Sequence, residues 1–163
     1  MDERETQLFM NLLVYGIGRG ISSLMEDGVR FVARQAGFAF LDDKGKVLLK
    51  EIGIPDIEDK DIKTIVEKWR DAVKEKKIAQ RFDILDLTED HMKIRVGECV
   101  LAHSCRMLRE QGVKIPPCPI LGFLIAIIRR NTGIETTLVD SKFEPELNST
   151  LFEISLANWQ KQS

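Results

Sequence analysis

The stretch RFDILDLTEDHMKIRVGEC, residues 81–99, decides the fold class. Its apolar residues recur at every second position: Phe82 and Ile84, then Met92, Ile94 and Val96. A period of two places them on one face of extended chain, the pattern of a half-buried strand. Leu85 directly follows Ile84, and the alternation resumes out of phase at Leu87. That predicts a slip or bulge near Leu85. Thr88–Glu89–Asp90–His91 supplies the turn, so the stretch reads as a β-hairpin with His91 a polar surface residue in it.

A second pair of strands is expected near the C-terminus. IETTLVDSKF (134–143) and STLFEISL (149–156) flank EPELN (144–148), which carries turn chemistry. The segments between and before the strands read as helices. Ile62, Ile65, Val66, Trp69 and Val73 fall on one helical face, with Asp59 or Asp61 placed to cap it. Its opposite face carries Lys63, Glu67, Lys68, Asp71, Lys74 and Glu75, a solvated surface. CVLAHSCRMLREQG (99–112) reads as a helix stopped by Gly112. VKIPPCP (113–119) is a proline-stiffened connector, and Pro119 suits the first turn of the helix that follows. ILGFLIAII (120–128) is apolar around most of a helix and belongs at the centre, with Gly133 ending it.

Residues 3–36 read as two helices bent at Gly16, Gly18 and Gly20, with Gly37 as a C-terminal cap. GFAFLDDKGKVLLKEIGIP (37–55) admits a hairpin, or a strand followed by a helical turn. Antiparallel strands with helices packed on them define an α+β domain, and 163 residues fit one such domain with a real core.

Composition narrows the function. A net charge of −2 lacks the basic excess of a nucleic-acid binder. The longest apolar run, Ile120 to Ile128, is about half of what a bilayer span needs. The start, MDERETQ, lacks a signal peptide's basic region, and three cysteines cannot all pair within one chain. Cytoplasmic residence is the expectation. YGIGRG (15–20) is not a dinucleotide loop, because Ile21 stands where the third glycine belongs and the preceding segment reads as helix. Nicotinamide, flavin, iron–sulfur, P-loop and zinc-protease motifs are absent, so binding is expected rather than catalysis.

The three cysteines, Cys99, Cys105 and Cys118, show no C-x-x-C. Read as one helix, Cys99 and His103 share a face while Cys99 and Cys105 point about 120° apart. Such a helix cannot offer both cysteines to one ion, and the plainer reading is that both are small buried hydrophobes.

GECVLAHSC (97–105), PPCPILGFLIAI (116–127) and the closing strand pair resemble the 4-vinyl-reductase domain, a small-molecule-binding module. The resemblance is best from Phe82 to Leu156, residues 82–156. It implies an α+β fold related to vesicle-tethering subunits, a pocket for a small hydrophobic ligand, and a homodimer. It also implies a structural zinc in some members. By position, Cys118 matches a zinc-ligating cysteine and Asp140 an acidic ligand. The family's other cysteines lie in the last hairpin, and none follows Cys118 here. The substitute set is drawn from Cys118, Cys99, Cys105, His103 and Asp140. Reduction of a vinyl-bearing tetrapyrrole and a scaffold role are the alternative functions the resemblance implies. The pocket is expected between the sheet and the 120–128 helix, lined by Phe38, Phe40, Phe82, Phe123 and Ile127, with core packing the competing role for each.

Overall fold

The computed structural model describes residues 41–51, 53–113 and 118–157, together with Gln7, Val14, Ile17, Gly18, Ile21, Gly37 and Phe38. Helix α1 spans Asp43–Glu51 and α2 spans Ile62–Glu75. Strands β1 (Ala79–Leu87) and β2 (His91–Cys99) follow, then helices α3 (Ala102–Glu110) and α4 (Pro119–Thr132). Strand β3 (Glu135–Glu144), a 3-10 turn (Pro145–Leu147) and β4 (Ser149–Ala157) close the chain. The four strands form one antiparallel sheet in the order β1-β2-β4-β3, and the domain is α+β.

The first hairpin forms as its alternation predicts. Ile84 pairs with Ile94, but Asp86 pairs with Lys93, so Leu85 is the extra residue and is exposed. The bulge returns Leu87 to the inner face opposite Met92. An equivalent bulge in β3, between Leu138 and Asp140, turns Val139 to solvent. Both hairpins thus keep one apolar face and one charged face. On the charged face Lys93 meets Glu153 at 2.9 Å, and Arg95 donates to Glu144 at 2.7 Å.

Helices α2 and α4 cover the apolar face. Asp61 caps α2 by accepting from the Thr64 backbone N–H at 2.9 Å. Pro119 opens α4, and Gly133 closes it in the left-handed conformation, φ 73°. Phe82, Met92 and Ile94 of the sheet are fully buried with Ile65, Val66, Leu124 and Ile128 of the helices. Each such side chain contributes about 1.5–3 kcal/mol by leaving water, so this layer dominates the fold's stability.

Three local readings change. Residues 43–51 form neither a hairpin nor a strand but helix α1, started by the Asp42 side chain accepting from the Gly45 N–H at 2.8 Å. Cys99 is not helical: it ends β2, paired with Ala79, and the chain turns at Glu98, φ 50°, before α3 begins at Ala102. Gly37 is not a left-handed cap but a helical residue pressed on α4; a Cβ there would stand 2.2 Å from the Gly122 carbonyl oxygen. At the first bend expected from glycines, the described residues Ile17, Gly18 and Ile21 are helical; most of that region lies outside the described residues.

Candidate functional site

A cavity of about 450 Å³ opens on the side of α2 and α4 turned toward α1. Its walls are apolar: Leu41 and Leu49, Ile54 and Ile57, Trp69 of α2 and Ile127 of α4. The expected space lies between the sheet and α4, whereas this cavity is lined from α1, the 54–57 segment, α2 and α4, with no strand residue among the described residues of its wall. The helix apolar around most of its circumference serves both layers, which is why its sequence did not say which side holds the space.

Trp69 organises the floor. Its indole Nε1 donates to the Ile120 carbonyl at 3.1 Å, and its ring stacks on Phe123 with centroids 5.6 Å apart. The residue is 2% exposed, so both contacts hold the ring rigidly at the cavity wall. Lys46, Lys50 and Asp56 stand among the apolar lining. Lys46 meets Asp56 at 3.2 Å, and Arg130 reaches the same carboxylate at 2.7 Å. Burial pushes the Asp56 carboxyl up, but the hydrogen bonds from Arg130 and Lys46 outweigh it and hold the group below its usual range. Arg130 also donates to the Ile57 carbonyl, as does Asn131, tying the 54–57 wall to the end of α4.

Of the residues expected to line a pocket, Ile127 does so. Phe123 lies one ring behind, against Trp69. Phe38 lies under the Arg129 guanidinium at 5.1 Å. Phe82 is a core residue, 1% exposed, and Phe40 lies outside the described residues. Trp69, Lys46, Lys50 and Asp56 escaped the sequence reading. Trp69 was legible as part of an apolar helix face, but nothing in a helical period separates a core ring from a cavity ring.

The cysteines behave differently from a one-helix reading. Cys99 at the end of β2, Cys105 in α3 and Cys118 at the N-cap of α4 line one small cavity of about 40 Å³, with Arg106 and Arg109. The 120° divergence does not apply, because Cys99 belongs to a strand. Burial pushes all three thiols up, Cys105 to about 12, where its neighbour Cys99 adds to the effect and Arg109 opposes it. His103 is exposed on α3 and does not line this cavity. Asp140 is exposed on β3 in register with Glu153, its carboxylate accepting from the Ser141 N–H at 2.8 Å. The substitute zinc set is therefore not assembled: His103 and Asp140 stand apart from the three thiols.

Fold and site together define a small α+β domain with an apolar cavity open to solvent at one side, and no recognisable catalytic constellation among the described residues. A family model described as "Putative rubredoxin C-terminal domain" matches residues 10–146, most of the chain, and the chain belongs to that family. This match overturns the resemblance to the 4-vinyl-reductase domain: the short motifs around the cysteines are shared residues without shared family. No curated protein and no solved structure matches the chain.

The word rubredoxin points toward a metal. Among the described residues, however, no group of three or more His, Cys, Asp or Glu side chains could hold one. The whole chain has three cysteines, one short of a four-thiolate centre. The residues of this chain do not fit such a centre. Among the described residues, no helix is long and apolar enough to cross a membrane.

Proposed function

We propose that this domain binds a small, predominantly apolar molecule in the cavity between α1, Trp69 and Ile127. The observation that carries the reading is the cavity itself: about 450 Å³, walled by aliphatic and indole side chains, with a few charged groups among them. Ligand sites typically enclose about 300–1,000 Å³ with that mixture of apolar wall and sparse polar groups. An apolar molecule seated there takes apolar wall out of water, a gain of about 25 cal/mol per Å². Three free cysteines suit a reducing compartment, so the domain is read as cytoplasmic.

The test is titration with N-phenyl-1-naphthylamine, a neutral dye that brightens in apolar surroundings. Saturable binding at one dye per chain is expected, and loss of it in Leu49→Trp, which fills the cavity. Cooperative urea unfolding of that variant shows that it remains folded. Unsaturable binding, or equal binding by the folded variant, refutes the proposal.

A further inference from the structure

We infer that the molecule taken by this cavity is an amphipathic anion, an apolar body carrying one carboxylate. The inference rests on the cavity being a ligand site and adds the chemistry of the ligand's polar end. Three cations stand at or beside the cavity: Lys46 and Lys50 in its lining, and Arg130 behind Asp56. Asp56 is the one carboxylate among the lining residues described. It is already held by two of those cations, Lys46 at 3.2 Å and Arg130 at 2.7 Å. With Asp56 neutralised twice over, the cavity carries an excess of positive charge.

Lys50 supplies that excess. It occupies the last turn of α1, one helical turn beyond Lys46, so the two ammonium groups project from the same side of the helix. An exposed lysine with an aliphatic stem lies along apolar surface while its head stays in water. A carboxylate at the cavity mouth meets that head without being stripped of solvent, while the apolar body enters beside Trp69 and Ile127. A cationic ligand has no comparable partner, because Asp56 is taken. A neutral one gains only the apolar contacts.

The experiment is displacement of bound N-phenyl-1-naphthylamine by dodecanoate, dodecanol and dodecylammonium, each below its micellar range, at pH 7.5 and low salt. The expected order is dodecanoate tightest, then dodecanol, then dodecylammonium. Lys50→Gln is expected to lower the dodecanoate-to-dodecanol affinity ratio about 2- to 5-fold, the range of a solvent-exposed charge pair. The preference should shrink as salt is raised. Equal affinities for dodecanoate and dodecanol, or an unchanged ratio in Lys50→Gln, overturn the carboxylate while leaving the apolar cavity standing. Failure of the dye itself to bind overturns both.

Discussion

Gly37→Ala is the sharpest test of how the cavity is walled. A Cβ built on Gly37 would lie 2.2 Å from the Gly122 carbonyl oxygen and 2.6 Å from its carbon, against an ordinary contact of 3.4 Å or more. The overlap exceeds 1 Å, and the obstacle is backbone rather than the end of a flexible side chain. Gly122 lies in α4, whose neighbours Leu121 and Leu124 are buried in the core, so the helix cannot retreat cheaply. Overpacking of this kind costs about 1–3 kcal/mol. Alanine's better helix propensity returns at most about 1 kcal/mol. An overlap of this size against backbone places the cost at the upper end of that range, so a net loss of about 2 kcal/mol should lower the urea midpoint by roughly 1 M for a slope near 2 kcal/mol/M. Leu41, a cavity wall residue, follows Gly37 closely, so dye affinity should fall as well. A midpoint equal to or above that of the parent protein would show that Gly37 does not press on α4, and the reasoning would fail.

Other consequences are as specific. Asp61→Ala removes the α2 cap, which accepts from both the backbone and side chain of Thr64, and should cost about 0.5–2 kcal/mol in urea unfolding. The cysteine thiols should react slowly with iodoacetamide at pH 8 in the folded protein and fast in urea, because burial raises their folded pKa; rapid alkylation of the folded state would contradict the cavity they line. The same shifts make stability fall as pH rises above the ordinary thiol range, where unfolded chains lose protons that folded ones retain. His91, hydrogen-bonded to Asp90 and to Asp86, has a raised pKa, so its contribution to the first hairpin is complete below about pH 6.5 and is lost as pH rises through the folded value. Proton NMR titration of its ring checks this: an apparent pKa at or below the free value sinks the contact.

How far the sequence foretold the molecule depends on the kind of signal. The bulge at Leu85 was readable because two adjacent apolar residues cannot face the same side of a strand unless one is extra. Leu138–Val139 carries the same mark and was not read, although it produces the same bulge. Caps were readable as well, since Asp61, Pro119 and Gly133 act through their own backbone geometry. The error at Cys99 came from continuity: CVLAHSC has helical composition, but the ladder from Ala79 extends through Cys99, and Glu98 absorbs the change of direction. Tertiary pairing overrode local preference there.

The candidate site was less legible, for a physical reason. A cavity is a difference between how much side chain a region contains and how much the backbone spacing requires, and neither is written in a periodic pattern. Ile127 was named among apolar helix residues, but Trp69 looked like any core aromatic. The family resemblance misled because GECVLAHSC and PPCP are short, and small soft residues at a tight junction recur for packing reasons alone. The convergence of the three cysteines needed the strand–helix junction, which only the fold reveals.

The central claim is that the space beside Trp69 and Ile127 is a ligand site. Isotope-filtered NMR on the labelled protein with unlabelled dodecanoate tests it most directly. The prediction is intermolecular cross-peaks from the alkyl chain to the Trp69 indole and the Ile127 and Leu49 methyls at one ligand per chain. Saturable binding with cross-peaks confined to other residues, or no cross-peaks at all at saturating dodecanoate, would contradict it.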